Sequence, residues 1–351
     1  MVEAIPGGRR LLTPGLTKLR IVKGQREILT EARALMSLSG SSPQARVCVI
    51  YDNRVSTTVY GDFLYVVTLA RWLLARGVAV EFWVSAAEFR SDFRVLSSSL
   101  LEKRVDDMLL LARALLPSAT VFRIRGDQVE SVARTAAQDG KHVIFGKCVQ
   151  TKLAYYPRVF DLLTHLVPKL TRTELDRFLY TASLTQEGGK SLENAPYISL
   201  AVRHSTKWSP ERNTHDDLLV QCGQLVQEYL SGHRLLVVSD EEGCDYFQRV
   251  ATREGVDCGF SSEHRTNVLD DLRFKLNSAF SVQLPMSGTG VPVVFSRTPF
   301  LIYGAPVHEH YLLTHDRTPW QRDDQQWVLS NFPATHTDFE SRFRSLIGLV
   351  D

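Results

Sequence analysis

Short runs of apolar, often β-branched residues alternate along the chain with longer stretches in which apolar residues return every three or four positions. The first half offers strands at VCVIYD (47–52), VAVEFWV (78–84), TVFRI (120–124) and HVIFG (142–146). Between them lie helical stretches, YGDFLYVVTLARWLLARG, LLEKRVDDMLLLARALL and QVESVARTAAQDG. The first contains a long helix over 61–76, read as amphipathic. Each strand is followed by its helix, the pattern of a parallel sheet covered by helices and built from right-handed βαβ units. At TQEGGKSLENAP (185–196) the periodicity stops and Gly188-Gly189 marks a linker. The alternation then restarts with YISLAVR, THDDLLVQCGQLVQEYLSG, RLLVVSD, EGCDYFQRVATREG, DCGFS, NVLDDLRFKL and AFSVQL, and VPVVFS follows.

A chain of 351 residues exceeds one ordinary core. The pattern predicts an α/β protein of two Rossmann-like, doubly wound domains facing a cleft. The first covers 1–190 and the second 191–330; a final helix in 331–351 is expected to pack back on the first. Such folds bind ligands outside the carboxyl ends of their strands, so the residues that follow each strand are the ones to inspect.

Charge narrows the partners. With 41 basic and 39 acidic residues the net charge is +2, which leaves no field for nucleic acid, and any anionic ligand must be caught locally. Six cations between Arg9 and Arg26 form a basic arm that could touch an anionic membrane surface weakly. No stretch reaches the roughly 18 apolar residues of a membrane span, and the N-terminus lacks an apolar signal core. Five scattered cysteines without CxxC pairs read as reduced thiols, so a cytoplasmic location is expected and structural zinc is not.

The strand ends supply the candidate chemistry. Arg203, His204, Ser205, Thr206 and Lys207 follow YISLAV, and an Arg fork among hydroxyls and backbone amides suits a diphosphate. Ser239 and Asp240 follow RLLVV; Ser239 with Glu242 spells a capping box, and either Ser239 or Asp240 could also meet a nucleoside. Pro285, Ser287, Gly288 and Thr289 in PMSGTG follow AFSVQL, where small residues leave amides free for an anion. Asp62, in the first turn of its helix, complements the helix dipole and is also a candidate general base. His308 and His310 share a strand face, but no third ligand at suitable spacing accompanies them, so no metal is expected. Trp320 and Trp327 read as packing residues.

Taken in order, these segments resemble the GT-B glycosyltransferases, and more closely the α-1,6-fucosyltransferases. The matching stretches are RVSTTVYGDFL (54–64), AVR (201–203) followed by His204, VVSDE (237–241), and LDDLRFKLNSAFSVQLPMSG (269–288). Ala201 stands where that family has the first His of its His-x-Arg. The Gly-Asp segment and KWSPE are also similar to lipopolysaccharide heptosyltransferases, in which the Gly-Asp carboxylate is the base. The resemblance implies an inverting, metal-independent transfer of a sugar from a nucleoside-diphosphate donor, GDP favoured, to a glycan or other hydroxyl acceptor. It implies no separate cofactor. In that reading Asp62 and Arg203 are catalytic, and Arg203, His204, Lys207, Ser239, Asp240, Pro285, Ser287, Gly288 and Thr289 bind the donor. A sugar-nucleotide epimerase and a non-catalytic nucleotide-sugar-binding module remain open alternatives.

Overall fold

The computed structural model describes residues 29–38, 45–56, 59–86, 98–149, 163, 166–181, 196–206, 213–284, 288–305, 322–329 and 336–348. Within them, two separate sheets form, in which every strand pair is parallel. The first contains β1 (Arg46–Tyr51), β2 (Ala79–Ala86), β3 (Thr120–Arg125) and β4 (His142–Ile144), in the order β3-β2-β1-β4. The second contains β5 (Tyr197–Val202), β6 (Arg234–Val238), β7 (Gly259–Phe260), β8 (Phe280–Leu284), β9 (Phe300–Ala305) and β10 (Gln325–Leu329), in the order β10-β9-β8-β5-β6-β7. Counted within its own unit from the β7 edge, that second order is 3-2-1-4-5-6, the full dinucleotide-binding arrangement. Its direction of winding reverses between β5 and β8, which opens a crevice at their carboxyl ends. The central strands β1, β5 and β8 are buried from their second residue or earlier to their last, as their unbroken apolar runs require.

The helix Tyr60–Ala75 is not amphipathic but buried without interruption from Asp62 to Leu73. A helix apolar all round needs packing on all sides. Here β1 and β2 cover one side, helix Ser98–Leu115 another, and residues 288–294 of the second unit a third. A single hydrophobic core therefore runs from Phe63, Val67 and Trp72 across to Leu272, Val291 and Phe295. Arg71, buried on the same helix, donates to the carbonyls of Phe178, Leu115 and Leu179 at 2.5, 2.9 and 2.9 Å. Its guanidinium also lies 4.9 Å from the centre of the Tyr180 ring. Tyr180 in turn donates its backbone N–H to Phe295 of the second unit.

Val291–Val294, which the periodicity left unassigned, is a short helix with Pro292 in its first turn, where its missing donor and fixed φ are tolerated, and β9 begins later, at Phe300. One expectation is corrected. The closing helix His336–Ile347 packs on the second unit rather than the first. Its Phe343 and Phe339 rings stand edge-on to Phe280 and Tyr303, at 5.7 and 5.2 Å, and Leu346 and Ile347 join the same core. The basic arm, the 185–195 linker, His308, His310 and Trp320, together with the Trp327 side chain, lie outside the described residues. All five cysteines are free thiols.

Candidate functional site

The carboxyl ends of β5 and β8 are tied together by Thr214. Its hydroxyl accepts the N–H of Arg203 at 2.9 Å and donates to the carbonyl of Leu284, while its own N–H donates to Arg203 O at 2.8 Å. Asn213 next to it accepts from Arg203 Nη1 at 3.0 Å and from Ser205 N at 2.9 Å, and returns a bond to Ser205 O. Arg203, half-buried, is thereby fixed directly after β5, with its guanidinium held by Asn213. Thr206 is held outside by Glu242, which accepts from its N–H and its hydroxyl. Lys207 falls outside the described residues, as do Pro285 and Ser287.

Other expected donor residues have structural partners. Ser239 is not the N-cap of the next helix: the helix Glu241–Glu254 starts one residue later, and Asp240 caps it by accepting from Gly243 N at 3.0 Å. The capping box fails because Glu242 is already engaged by Thr206, and the Ser239 hydroxyl donates instead to Val202 O at the end of β5. That bond is possible because residue 243 is glycine; a Cβ there would collide with Ser239 Oγ. The imidazole of His204 lies flat on Tyr246, centroids 3.6 Å apart and planes 8° from parallel, which makes it part of an aromatic platform with Phe247.

Later in the chain than β8, the turn Gly288–Gly290 has Thr289 and Gly290 buried. Gly288 meets the first turn of the Tyr60–Ala75 helix so closely that a Cβ on residue 288 would stand 2.7 Å from Gly61 N. Asp62, buried to 4 % exposure, is the next residue. Two segments singled out in different halves of the chain, Gly61-Asp62 and Gly288-Thr289, are thus brought together at the junction of the units. Tyr60, which opens the helix, donates its hydroxyl to Asp107 at 2.5 Å beneath Arg104. At the end of β1, Arg54 is held by Asp52 and Glu130.

Sequence reading missed the cluster behind the turn. Lys275 in helix Val268–Leu276 is fully buried and donates to Thr289 Oγ1 at 2.6 Å. Burial pushes its ammonium down to about 8, against the pull of Asp271 one turn earlier. Asp271, itself buried, is pushed up to about 6 despite Lys275 and Arg265, and Arg265 reaches both Asp271 Oδ2 (3.4 Å) and Ser239 O (3.0 Å). The available signal was Lys275 on the face of that helix marked by Val268, Leu272 and Leu276, with Asp271 four residues before it. Asn213 and Thr214 gave no such signal, because a polar loop before a helix is the usual composition. Among the described residues no group of three His, Cys, Asp or Glu could hold a metal ion, and no helix is long and apolar enough to cross a membrane.

No protein-family model matches the chain, and no curated protein matches it. Among solved structures, it is similar to Escherichia coli heptosyltransferase WaaC with ADP (TM-score 0.49, 11% identity, 87% of this chain and 100% of that one). It is also similar to E. coli ADP-heptose lipopolysaccharide heptosyltransferase II (0.45, 11%, 87% and 99%). A third is the family 9 glycosyl transferase from Veillonella parvula (0.46, 11%, 86% and 88%). What those proteins bind and transfer is theirs.

Proposed function

We propose that the protein is a glycosyltransferase that moves a sugar from a nucleoside-diphosphate donor to a hydroxyl on a glycan or similar acceptor. One observation carries the reading: the start of a first-unit helix, Gly61-Asp62, packs against the Gly288–Gly290 turn at the switch point of a 3-2-1-4-5-6 sheet. A crevice of that kind suits a nucleotide, and a carboxylate from the opposite unit suits a proton acceptor. Arg203 and the amides of the turn would neutralise the diphosphate as the bond between the sugar's C1 and its oxygen breaks and the electron pair passes to that oxygen. The acceptor oxygen bonds to C1 from the opposite face, with inversion, and its proton goes to Asp62. With the charge met by Arg203, Lys207 and amides, the proposed transfer is metal-independent. Ser239, Asp240 and His204 contribute to the nucleoside end as framework: the first two fix the strand end and helix cap, and the third fixes the aromatic platform. Pro285 and Ser287 belong to the proposal on sequence grounds. GDP is the favoured nucleotide, and the fucosyl or hexosyl nature of the sugar is part of the same proposal, as is a cytoplasmic location.

Incubating the enzyme with GDP-, ADP- and UDP-sugars and a panel of glycan acceptors should release one nucleoside diphosphate only when acceptor is present. Asp62→Asn should lower that turnover by about 100-fold at unchanged melting temperature. Full turnover by Asp62→Asn would remove Asp62 as the base, and a change in the donor sugar without acceptor would favour an epimerase.

A further inference from the structure

The strand order β3-β2-β1-β4 reverses its winding between β1 and β4, so the first sheet has a switch point of its own, bordered by the residues that leave β4. Those residues are Phe145, Gly146 and the tight turn Lys147–Val149. Gly146 has φ +65°, and a Cβ on it would stand 2.6 Å from Val66 Cγ2, so glycine lets the turn lie against the Tyr60–Ala75 helix. Val66 follows Asp62 by one helical turn on the same face. The turn after β4 therefore borders the part of the helix that carries the Asp62 carboxylate.

What holds this turn comes from before the first strand. The helix over 29–38 sets Leu35 and Leu38 into the core shared by the two units and brings Glu31 to the turn. Glu31 Oε1 accepts the N–H of Gly146 at 2.5 Å and Oε2 accepts that of Lys147 at 3.1 Å, and the buried Cys148 thiol bonds to the same carboxyl. Burial pushes that carboxyl up to about 7, against the pull of both N–H groups and of Lys147. A carboxylate taken out of water is costly, and two adjacent donors account for its being one. Glutamine has the same shape but a single accepting oxygen, and its NH2 would face an N–H. The transfer chemistry leaves Glu31 unused.

We propose that Glu31 is a positioning residue for the acceptor: its carboxylate fixes the turn after β4 as the first-unit wall of the acceptor site, beside Asp62. The inference rests on the glycosyltransferase reading and extends it to the second substrate. The acceptor hydroxyl has to reach Asp62 to give up its proton, and the turn packs on the helix that carries Asp62, one turn further in. A contact with the acceptor away from the reacting atoms is made equally before and during transfer. Loosening it raises the acceptor KM and leaves kcat nearly unchanged.

The test is steady-state transfer by the full-length protein at pH 8, with GDP-, ADP- and UDP-sugars as donors and a panel of methyl glycosides as acceptors. Amide hydrogen exchange of residues 145–149 and calorimetric titration with GDP, ADP and UDP accompany it. E31Q should raise the acceptor KM about tenfold, with kcat within about twofold of wild type. Its nucleotide affinity should be unchanged, its Gly146 and Lys147 amides should exchange faster, and its melting temperature should stay at or near wild type because a neutral side chain replaces a desolvated charge. E31A should show the same rise in acceptor KM, and added formate, which brings two carboxylate oxygens to the vacated amides, should reverse it without affecting wild type. If E31Q exchanges faster at the turn but keeps the wild-type acceptor KM, Glu31 is structural only and the glycosyltransferase reading survives. If wild type transfers to no acceptor, both fail. Should E31Q not fold, an acceptor KM in E31A equal to wild type overturns the proposal by itself.

Discussion

Arg203 and Lys275 carry the same charge in the second unit, yet only one was singled out from the sequence. Arg203 stands where an apolar strand gives way to polar residues, and the connection rules of parallel sheets send such a position to the ligand side. Lys275 lies in the middle of a helix, where a lysine ordinarily extends its stem and puts its charge in water; nothing local says that Thr289 will be waiting in the interior. Its titration gives a direct check. A lysine whose folded pKa of about 8 lies below the ordinary 10.5 makes the fold carry a buried charge at neutral pH. As pH rises from 8 towards 10.5 the folded protein sheds the proton before the unfolded chain does, so that cost is relieved and stability rises. Wild type should therefore gain melting temperature relative to K275M across that interval. Parallel curves for the two would show that the Lys275 ammonium is hydrated in the fold.

At the scale of elements, the apolar runs placed all four strands of the first sheet and the central strands of the second, because a strand buried on both faces has little freedom of composition. Where reading failed, tertiary packing had overridden a local pattern. Ser239 and Glu242 have the spacing of a capping box, but Val202 O and Thr206 compete for their side chains, and Asp240 takes the cap. The most exacting contact between elements is that of Gly61 with Gly288. A Cβ on residue 288 would meet Gly61 N at 2.7 Å and Gly61 Cα at 3.3 Å, backbone atoms on a buried helix with no room to retreat. Gly288→Ala should thus cost about 1–3 kcal/mol of stability by overpacking, read as a lower urea midpoint, and should also depress turnover by shifting Asp62. An alanine variant with wild-type stability would mean that the two units do not touch there.

For the molecule as a whole, the two units are less independent than their matching architecture suggests. They share one hydrophobic core along the Tyr60–Ala75 helix, and Arg71 holds the segment that leads from one unit to the other by two carbonyls, Phe178 and Leu179, while also binding Leu115 O within the first unit. Sequence alone reported two α/β halves and a cleft, but not that a fully buried helix joins them, since total burial looks the same whether the cover comes from one unit or two. The consequence for function is that Asp62 and the 288–290 turn hold their relative position through the core instead of meeting only when ligand arrives. The central claim, that this junction is a nucleoside-diphosphate site, is tested most directly by calorimetric titration of wild type and Arg203→Ala with GDP, ADP and UDP. One of the three should bind wild type, with affinity reduced at least about tenfold in Arg203→Ala while the melting temperature is unchanged. Failure of all three to bind wild type, or equal binding by Arg203→Ala, would contradict it.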